Sequence, residues 1–553
     1  MTASEWWRGA VVYQIYPRSF FDSNGDGIGD LPGVTAKLDY IARLGVDAIW
    51  LCPFFASPQR DFGYDVADYR TVDPIFGTIA DFDALLARAR ALGLKVLIDQ
   101  VWSHTSDRHA WFLDSRSGRA SAKADWYVWA DPRPDGTPPN NWLSVFGGAA
   151  WTWEPRRRQY YLHHFLNHQP ALNLHHPAAM DAVLETGRFW LDRGVDGFRL
   201  DAIDFLLHDK SLRPNPPAAG SGEIPAKLFG MQQHVRDMMQ PEAMGLLARI
   251  RGLMDAYPGT ATLGEFSSQP GAFERVAACT DGGDRLHMAY TLQPLRGSLD
   301  WPAVTSLVHE AARSEGWRCW SFSNHDVERA ASRWGSGDPA FARLLMALLL
   351  SLRGSVCLYQ GEELGLTEAD LAEQDLRDPF GIAYWPAFRG RDGSRTPMPW
   401  AGSAPHGGFT TGVPWLPVPA AHMAMAVDRQ EANPDSLLHA YRRFLHWRRG
   451  VPALIHGTLL PVVLPEPLVG FVREHDGQRV LAVFNLSDRE VAFDADRFGE
   501  ITPLPESGFT PAAGYLPPYG AMFAAVGLRA DAELTHHGDG APSRGLNQGA
   551  VNQ

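Results

Sequence analysis

Four apolar segments end on, or just before, a carboxylate: Asp99, Asp201, Glu265 and Asp326. Arg199 lies two residues before Asp201, so on a strand both side chains leave the same face. His104 and His325 stand beside the set as donors without a fixed negative charge. Any one of these acids, taken alone, reads as a cap on the following helix. Burying an unpaired carboxylate costs on the order of several kcal/mol. Four of them with an arginine and two histidines therefore point to chemistry. Two carboxyls flanking one bond, one protonated and one ionised, are the equipment of glycoside hydrolysis. Close carboxyls push each other's pKa values apart, which divides the roles.

A second group is the stretch DSNGDGIGD. Asp22, Asn24, Asp26, the Ile28 carbonyl and Asp30 fall at positions 1, 3, 5, 7 and 9, with Gly27 at position 6. A calcium-sensor loop would have a bidentate Glu at position 12, where this chain has Gly33, and would follow a helix. The stretch instead follows the apolar strand VVYQIY. The pattern predicts a shortened structural staple for Ca²⁺ or Mg²⁺, away from catalysis. Without a metal it is an Asx-rich turn.

Three segments show what must position the acids: LGVDAIWL at 44–51, LGLKVLID at 92–99 and RGVDGFRLD at 193–201. Each reads as a helix end, a glycine for the left-handed cap, then a short apolar strand. Leu31, Val34, Leu38, Ile41 and Leu44 recur at helical spacing, as do Phe82, Leu85, Leu86, Ala89 and Leu92. Near-continuous apolar strands alternating with amphipathic helices predict a parallel sheet covered on both faces. Eight strands are expected, at 11–16, 48–51, 95–100, 197–202, 262–266, 287–292, 319–324 and 355–360. Eight suits a closed α/β (β/α)8 TIM barrel, whose chemistry sits at the C-terminal ends of the strands. No G-x-G-x-x-G or P-loop follows an early strand, which disfavours a nucleotide fold.

The barrel is expected over 1–103 and 171–454, with an irregular insertion at 366–430. Residues 104–170, rich in Trp, Pro, Gly and Asn, read as a domain inserted after strand 3. Alternating segments make 455–530 a C-terminal antiparallel β-domain of sandwich type. The tail, 534–553, has almost no apolar content and is expected to be disordered.

Among the 553 residues, 63 Asp and Glu outweigh 50 Lys and Arg, giving a net charge of −13. That balance argues against nucleic acid or an anionic membrane as partner. No apolar run reaches the ~18 residues of a membrane span. The first residues lack the basic and apolar regions of a secretory signal, and the four cysteines are scattered without framework spacing. A cytoplasmic monomer or homodimer acting on a small molecule is expected.

The acids lie in four ordered motifs: Asp99-Gln-Val-Trp-Ser-His104, Gly197-Phe-Arg-Leu-Asp201, Gly264-Glu265-Phe and Phe322-Ser-Asn-His-Asp326. Together they resemble the α-amylase superfamily of glycoside hydrolases, at barrel strands three, four, five and seven. Gln169-Pro-Ala-Leu-Asn173 resembles the signature of the oligo-1,6-glucosidase and α-glucosidase branch, with Ala171 where that branch usually has Asp. The resemblance implies Asp201 as nucleophile, Glu265 as acid/base and Asp326 as stabiliser of the transition state. It implies Arg199 as the group aiming Asp201, and His104 and His325 as binders of sugar hydroxyls. A retaining mechanism predicts the Asp201 and Glu265 carboxyls about 5–5.5 Å apart.

In the resembled branch Tyr64 stacks under the terminal glucose and Asp65 reads its far hydroxyls. Arg395 is expected to pair with Asp65 and close the pocket beyond one sugar; the bland reading is a loop salt bridge. Phe146 and Phe165 read either as pocket walls or as core of the inserted domain. Ala202, a small residue after the nucleophile, goes with α-1,4 substrates in that branch. The resemblance thus implies a retaining, exo-acting α-glucosidase for maltose, short malto-oligosaccharides and alkyl or aryl α-glucosides, with glucosyl transfer through the same intermediate. Its rivals are a trehalose synthase, a sucrose-acting enzyme, a trehalose-phosphate hydrolase or an oligo-1,6-glucosidase of the same superfamily. More remote is a non-catalytic barrel.

Overall fold

The computed structural model describes residues 5–218, 227–335, 337–509 and 514–527. The expected disorder at 534–553 lies outside the described residues. Eight parallel strands form one sheet: β1 Val11–Ile15, β2 Ala48–Leu51, β3 Lys95–Gln100, β4 Gly197–Leu200, β5 Ala261–Phe266, β6 Met288–Thr291, β7 Cys319–Trp320 and β8 Ser355–Tyr359. Their order is 6-5-4-3-2-1-8-7, and a parallel bridge between Ala289 and Arg318 brings β6 to the approach of β7. The sheet thus comes back on itself as a barrel.

The return helices carry the periodicity seen in the sequence. Helix Leu31–Leu44 buries Leu31, Val34, Leu38, Ile41 and Leu44, is N-capped by Asp30 and ends on left-handed Gly45. Helix Ile79–Ala91 opens with a capping box between Thr78 and Asp81. Helix Pro177–Arg193 ends on left-handed Gly194. Inside the barrel Val12, Trp50, Leu97, Leu263, Met288 and Tyr359 fill one core, while the helices pack a second, larger core outside it. At Gly197 a β-carbon would sit 1.9 Å from the Ala261 carbonyl, so β4 and β5 approach closely only because this residue has no side chain.

β4 and β7 end before the acids they were expected to carry. β4 stops at Leu200 because Ala202 takes left-handed angles (φ 43°, ψ 49°). β7 has only Cys319 and Trp320, so the chain up to Asp326 runs as loop above the barrel. The 104–170 insertion holds a three-stranded antiparallel sheet (Trp129–Ala130, Trp151–Glu154, Gln159–Leu162) and also a helix, Ala110–Ser117. The 366–430 insertion is mostly loop with short helices. After it, strands Thr458–Val462, Leu468–His475, Gln478–Asn485, Ala521–Val526 and Ile501–Pro503 form an antiparallel sheet, with Val491–Ala492 and Tyr515–Leu516 paired beside it. No helix among the described residues is long and apolar enough to cross a membrane.

Candidate active site

Strand register brings the acids together. Asp99 on β3 stands level with Arg199 on β4, and Glu265 on β5 stands level with Tyr290 on β6. The fully buried Arg199 guanidinium is the hub. Its Nη1 donates to Asp99 (2.9 and 3.0 Å) and to Asp201 Oδ1 (2.6 Å), and its Nη2 lies 2.5 Å from Glu265 Oε2. Nη2 also donates to the Tyr290 hydroxyl at 3.0 Å, and that hydroxyl donates to Glu265 Oε1 at 2.9 Å. The Ala202 N–H completes the set, 3.2 Å from Glu265 Oε2. The left-handed backbone at Ala202, a strained conformation for alanine, is what aims that N–H.

Three carboxyls on one guanidinium cannot all be ionised cheaply. Burial pushes Asp99 up to about 6 and both Asp201 and Glu265 up to about 7; Arg199 opposes each shift, and the acids' mutual repulsion adds to it. The cluster therefore holds protons near neutral pH, as a general acid beside a nucleophile requires.

Asp326 behaves in the opposite way. Arg395 Nη2 donates to its Oδ1 at 3.0 Å and Arg391 Nη1 at 3.2 Å. Burial alone would raise its pKa, but these charges hold it well below the ordinary carboxylate range. His325 contributes little fixed charge, because burial lowers it to about 3. Gln14 Nε2 donates to His325 Nδ1 (2.7 Å), so Nε2 carries the proton. That N–H lies 3.4 Å from Asp326 Oδ2 and is buried without a hydrogen bond. Tyr64 packs flat on His325 (ring centroids 5.2 Å, 6° between planes), with its hydroxyl on Asp99 Oδ2 at 3.1 Å.

Three expectations need correction. Asp65 does not pair with Arg395. Its oxygens accept from Ser57 Oγ (2.8 Å), Arg60 N (3.0 Å) and Asp61 N (3.1 Å), so it is buried inside the loop rather than open to a ligand. Arg395 is spent on Asp326 and on the His325 carbonyl. The acid–arginine pair that does form here is Asp61 with Arg391, at 2.7 Å, and Arg391 is fixed in turn by Asp378. Gln169 Nε2 donates to the other Asp61 oxygen at 2.9 Å, which gives the Gln-Pro-Ala-Leu-Asn stretch a physical job. The third correction is His104. Burial lowers it to about 4; its Nε2 donates to the Tyr64 carbonyl and its Nδ1 takes the Ser103 hydroxyl, so both nitrogens already have protein partners. Phe146 and Phe165 are half-buried: Arg391 lies 5.1 Å over Phe146, and Phe165 packs on His104 at 5.2 Å.

The 22–30 loop lies elsewhere and is closed by its own hydrogen bonds. Asp22 accepts from the Asn24, Gly25 and Gly27 N–H groups and the Thr410 hydroxyl. Asp26 accepts from Ile28 N, and Asp30 caps the following helix at Gly33 N while holding Ser23. Among the described residues no group of three or more carboxylate, histidine or cysteine side chains is gathered for a metal. The donors are all oxygens, which fits a hard cation in kind, but they are turned to N–H partners as an Asx-rich turn.

A parallel barrel with two carboxyls at the C-terminal ends of its strands and a third in the loop above them suits a glycoside-processing enzyme. The α-amylase catalytic domain matches residues 14–457, and the chain belongs to that family of glycoside hydrolases. It is 53% identical over 536 residues to a probable alpha-glucosidase of Rhizobium meliloti (strain 1021), covering 94% of this chain and 97% of that protein. It is 36% identical over 539 residues to an oligo-1,6-glucosidase of Heyndrickxia coagulans, covering 89% and 94%. The crystal structure of the alpha-glucosyl transfer enzyme XgtA is similar throughout, with a TM-score of 0.90, 55% identity and coverage of 94% of this chain and 99% of that one.

Proposed function

We propose that the protein is a retaining, exo-acting α-glucosidase that releases glucose from the non-reducing ends of maltose and short α-1,4-glucosides, and that also transfers glucose to acceptor hydroxyls. The observation carrying this reading is that Asp201 and Glu265 contact opposite arms of one guanidinium. That closeness suits the retaining geometry, in which the carboxyls are about 5–5.5 Å apart. Asp201 attacks C1 while Glu265 gives its proton to the departing oxygen. Glu265, now a carboxylate, takes a proton from water or an alcohol, which opens the glucosyl ester. Asp326 stays ionised between two arginines and balances the positive charge that develops on the ring. The Asp61–Arg391 pair walls the pocket, which favours removal of single sugars. The methyl of Ala202 leaves room for an α-1,4 aglycone.

Two measurements test this. Asp201→Asn should lower hydrolysis of p-nitrophenyl α-glucoside by on the order of 1,000-fold or more; equal rates would remove Asp201 from its role. NMR of products from maltose, isomaltose, sucrose and trehalose should show retained α-glucose from maltose above all. Trehalose as the main product would overturn the assignment.

We further propose that the 22–30 loop takes a Ca²⁺ or Mg²⁺ ion through Asp22, Asn24, Asp26, Asp30 and the Ile28 carbonyl. Its role would be to hold the start of the first return helix. A Tm lowered by EDTA and restored by the metal supports this; an unchanged Tm refutes it. The four cysteines are buried and unpaired, which supports a reducing, cytoplasmic setting.

A further inference from the structure

We propose that Tyr290 is a positioning residue for the acid/base step, its hydroxyl fixing Glu265 through Oε1 and tying it to Arg199 Nη2, the arm not bound to Asp201. The inference rests on the α-glucosidase reading and deepens it. Tyr290 stands on β6 level with Glu265 on β5, and its ring belongs to the core inside the barrel. Arg199 Nη2 donates to its hydroxyl at 3.0 Å, and the hydroxyl lies 2.9 Å from Glu265 Oε1. A guanidinium can only donate, so that contact uses an oxygen lone pair and the phenolic proton goes to Glu265. The other carboxyl oxygen, Oε2, faces Arg199 Nη2 (2.5 Å) and the Ala202 N–H (3.2 Å). Each oxygen of the acid is thus held by its own donors, and the donor on Oε1 is Tyr290. The ring has no room to swing away. It is 3% exposed and packs at 6.3 Å on Trp50, whose Nε1 donates to Asp99 Oδ2 and whose face lies 4.7 Å from the Arg199 guanidinium.

The charged groups acting on Glu265 are Arg199 and Asp201 at the end of β4, Asp99 on β3, Asp326 in the loop after β7 and Arg296 beyond β6. Burial raises Glu265 most and Arg199 opposes it; the Tyr290 hydrogen bond also opposes it, without adding a charge. Burial holds the Tyr290 hydroxyl well above the usual phenol range, so it stays a donor at every working pH. The bond matters most once the first step is over. The C1–O bond breaks, the C1–Oδ bond to Asp201 forms, and the Glu265 proton leaves with the alcohol. Esterified Asp201 no longer repels Glu265, and part of the new charge on Glu265 falls on Oε1, where the phenolic proton meets it. A hydrogen bond to an ionised acceptor is stronger than one to a neutral acceptor. Tyr290 therefore favours the carboxylate that must next take a proton from water or an alcohol. A phenylalanine in its place would keep the ring and lose that preference.

The test is Tyr290→Phe, assayed on phenyl and p-nitrophenyl α-glucoside. Phenol is the poorer leaving group and needs the Glu265 proton more. For the phenyl glucoside kcat/KM should fall by about 10–100-fold, and for the p-nitrophenyl glucoside by several-fold less. The basic limb of the pH profile of kcat/KM, which reports loss of the Glu265 proton, should move up by about one pH unit. Lost packing alone would lower both substrates equally and leave that limb in place. 3-Fluorotyrosine in place of Tyr290 keeps the ring and makes the hydroxyl a stronger donor. It should move the limb down with little loss of rate, and this arm stands even where Tyr290→Phe fails to fold. Equal losses for the two glucosides, or a basic limb unmoved in both variants, would overturn the role of Tyr290 and leave the α-glucosidase intact. No turnover of either glucoside by the wild type would sink both.

Discussion

The two ends of the barrel use buried arginines in opposite ways. At the C-terminal end Arg199 touches three acids, and Arg391 touches Asp61, Asp326 and Asp378. At the N-terminal end Arg473, equally buried, meets only carbonyls: Ser351 and Leu352 at 2.7 and 2.9 Å, Gly457 at 2.9 Å and Thr458 at 3.2 Å. Arg448 beside it takes the Leu350 and Gly9 carbonyls. Ser351 closes helix Pro339–Ser351, so these two cations satisfy the orphan carbonyls of a helix end and favour its dipole. Burial lowers the pKa of both, whereas the acids around Arg199 raise it well above the usual value. The lower set ties chain segments together. The upper set offsets the cost of burying the acids around it and draws them towards their ionised forms.

The sharpest way to break that contrast is Arg199→Gln. It removes the charge that opposes burial of Asp99, Asp201 and Glu265, so the nucleophile stays protonated. We expect kcat/KM for an aryl α-glucoside to fall by roughly 1,000-fold or more. Stability should change little, because the acids are then neutral and no buried charge is left unpaired. A variant that keeps activity within tenfold would show that Arg199 is not the hub. Arg473→Met is the mirror test. It orphans four buried carbonyls, and ~3 kcal/mol or more of stability should be lost in urea unfolding. The shape of the pH–rate profile should not move. A shifted profile would mean that the two ends are electrically coupled.

What could be read from the sequence followed the same division. Strand positions were legible because near-continuous apolar runs and left-handed glycines at Gly45 and Gly194 are local signals. The acids at strand ends were legible because barrel register follows from strand order. The Asp61–Arg391 pair was not. Asp61 and Asp65 flank Gly63-Tyr64, and Arg391 and Arg395 stand four apart, so composition offers two acids for two arginines. Only the turn that spends Asp65 on Ser57, Arg60 and Asp61 decides which acid faces outward. Nor does spacing show that β7 ends at Trp320, or that Ala202 is left-handed, since both follow from loops that fold over the barrel.

A milder change probes the wall itself. Asp61→Asn keeps the shape but removes the charge partner of Arg391, leaving that arginine to Asp378 and Asp326. Loss of a charged contact at the sugar should raise KM for maltose by about 10–100-fold, with kcat falling less. Equal losses in kcat would place Asp61 in the chemistry instead of the wall.

The smallest effect, and the one most specific to the upper end, is thermal. Glu265 has a folded-state pKa of about 7, above the ~4.3 of an exposed glutamate. The native state therefore binds this proton more tightly than the unfolded chain does. The stability from that binding is fully present below about pH 4 and is lost as pH rises through 7. Glu265→Gln is neutral at every pH and escapes that loss. Relative to wild type it should gain roughly 1–3 °C in Tm at pH 8 and nothing at pH 4.5, while hydrolysis collapses. A destabilisation at pH 8 would mean that the Arg199 contact outweighs the burial of the third carboxylate. The site would then be a structural ion network like any other, and the contrast between the two ends of the barrel would be lost.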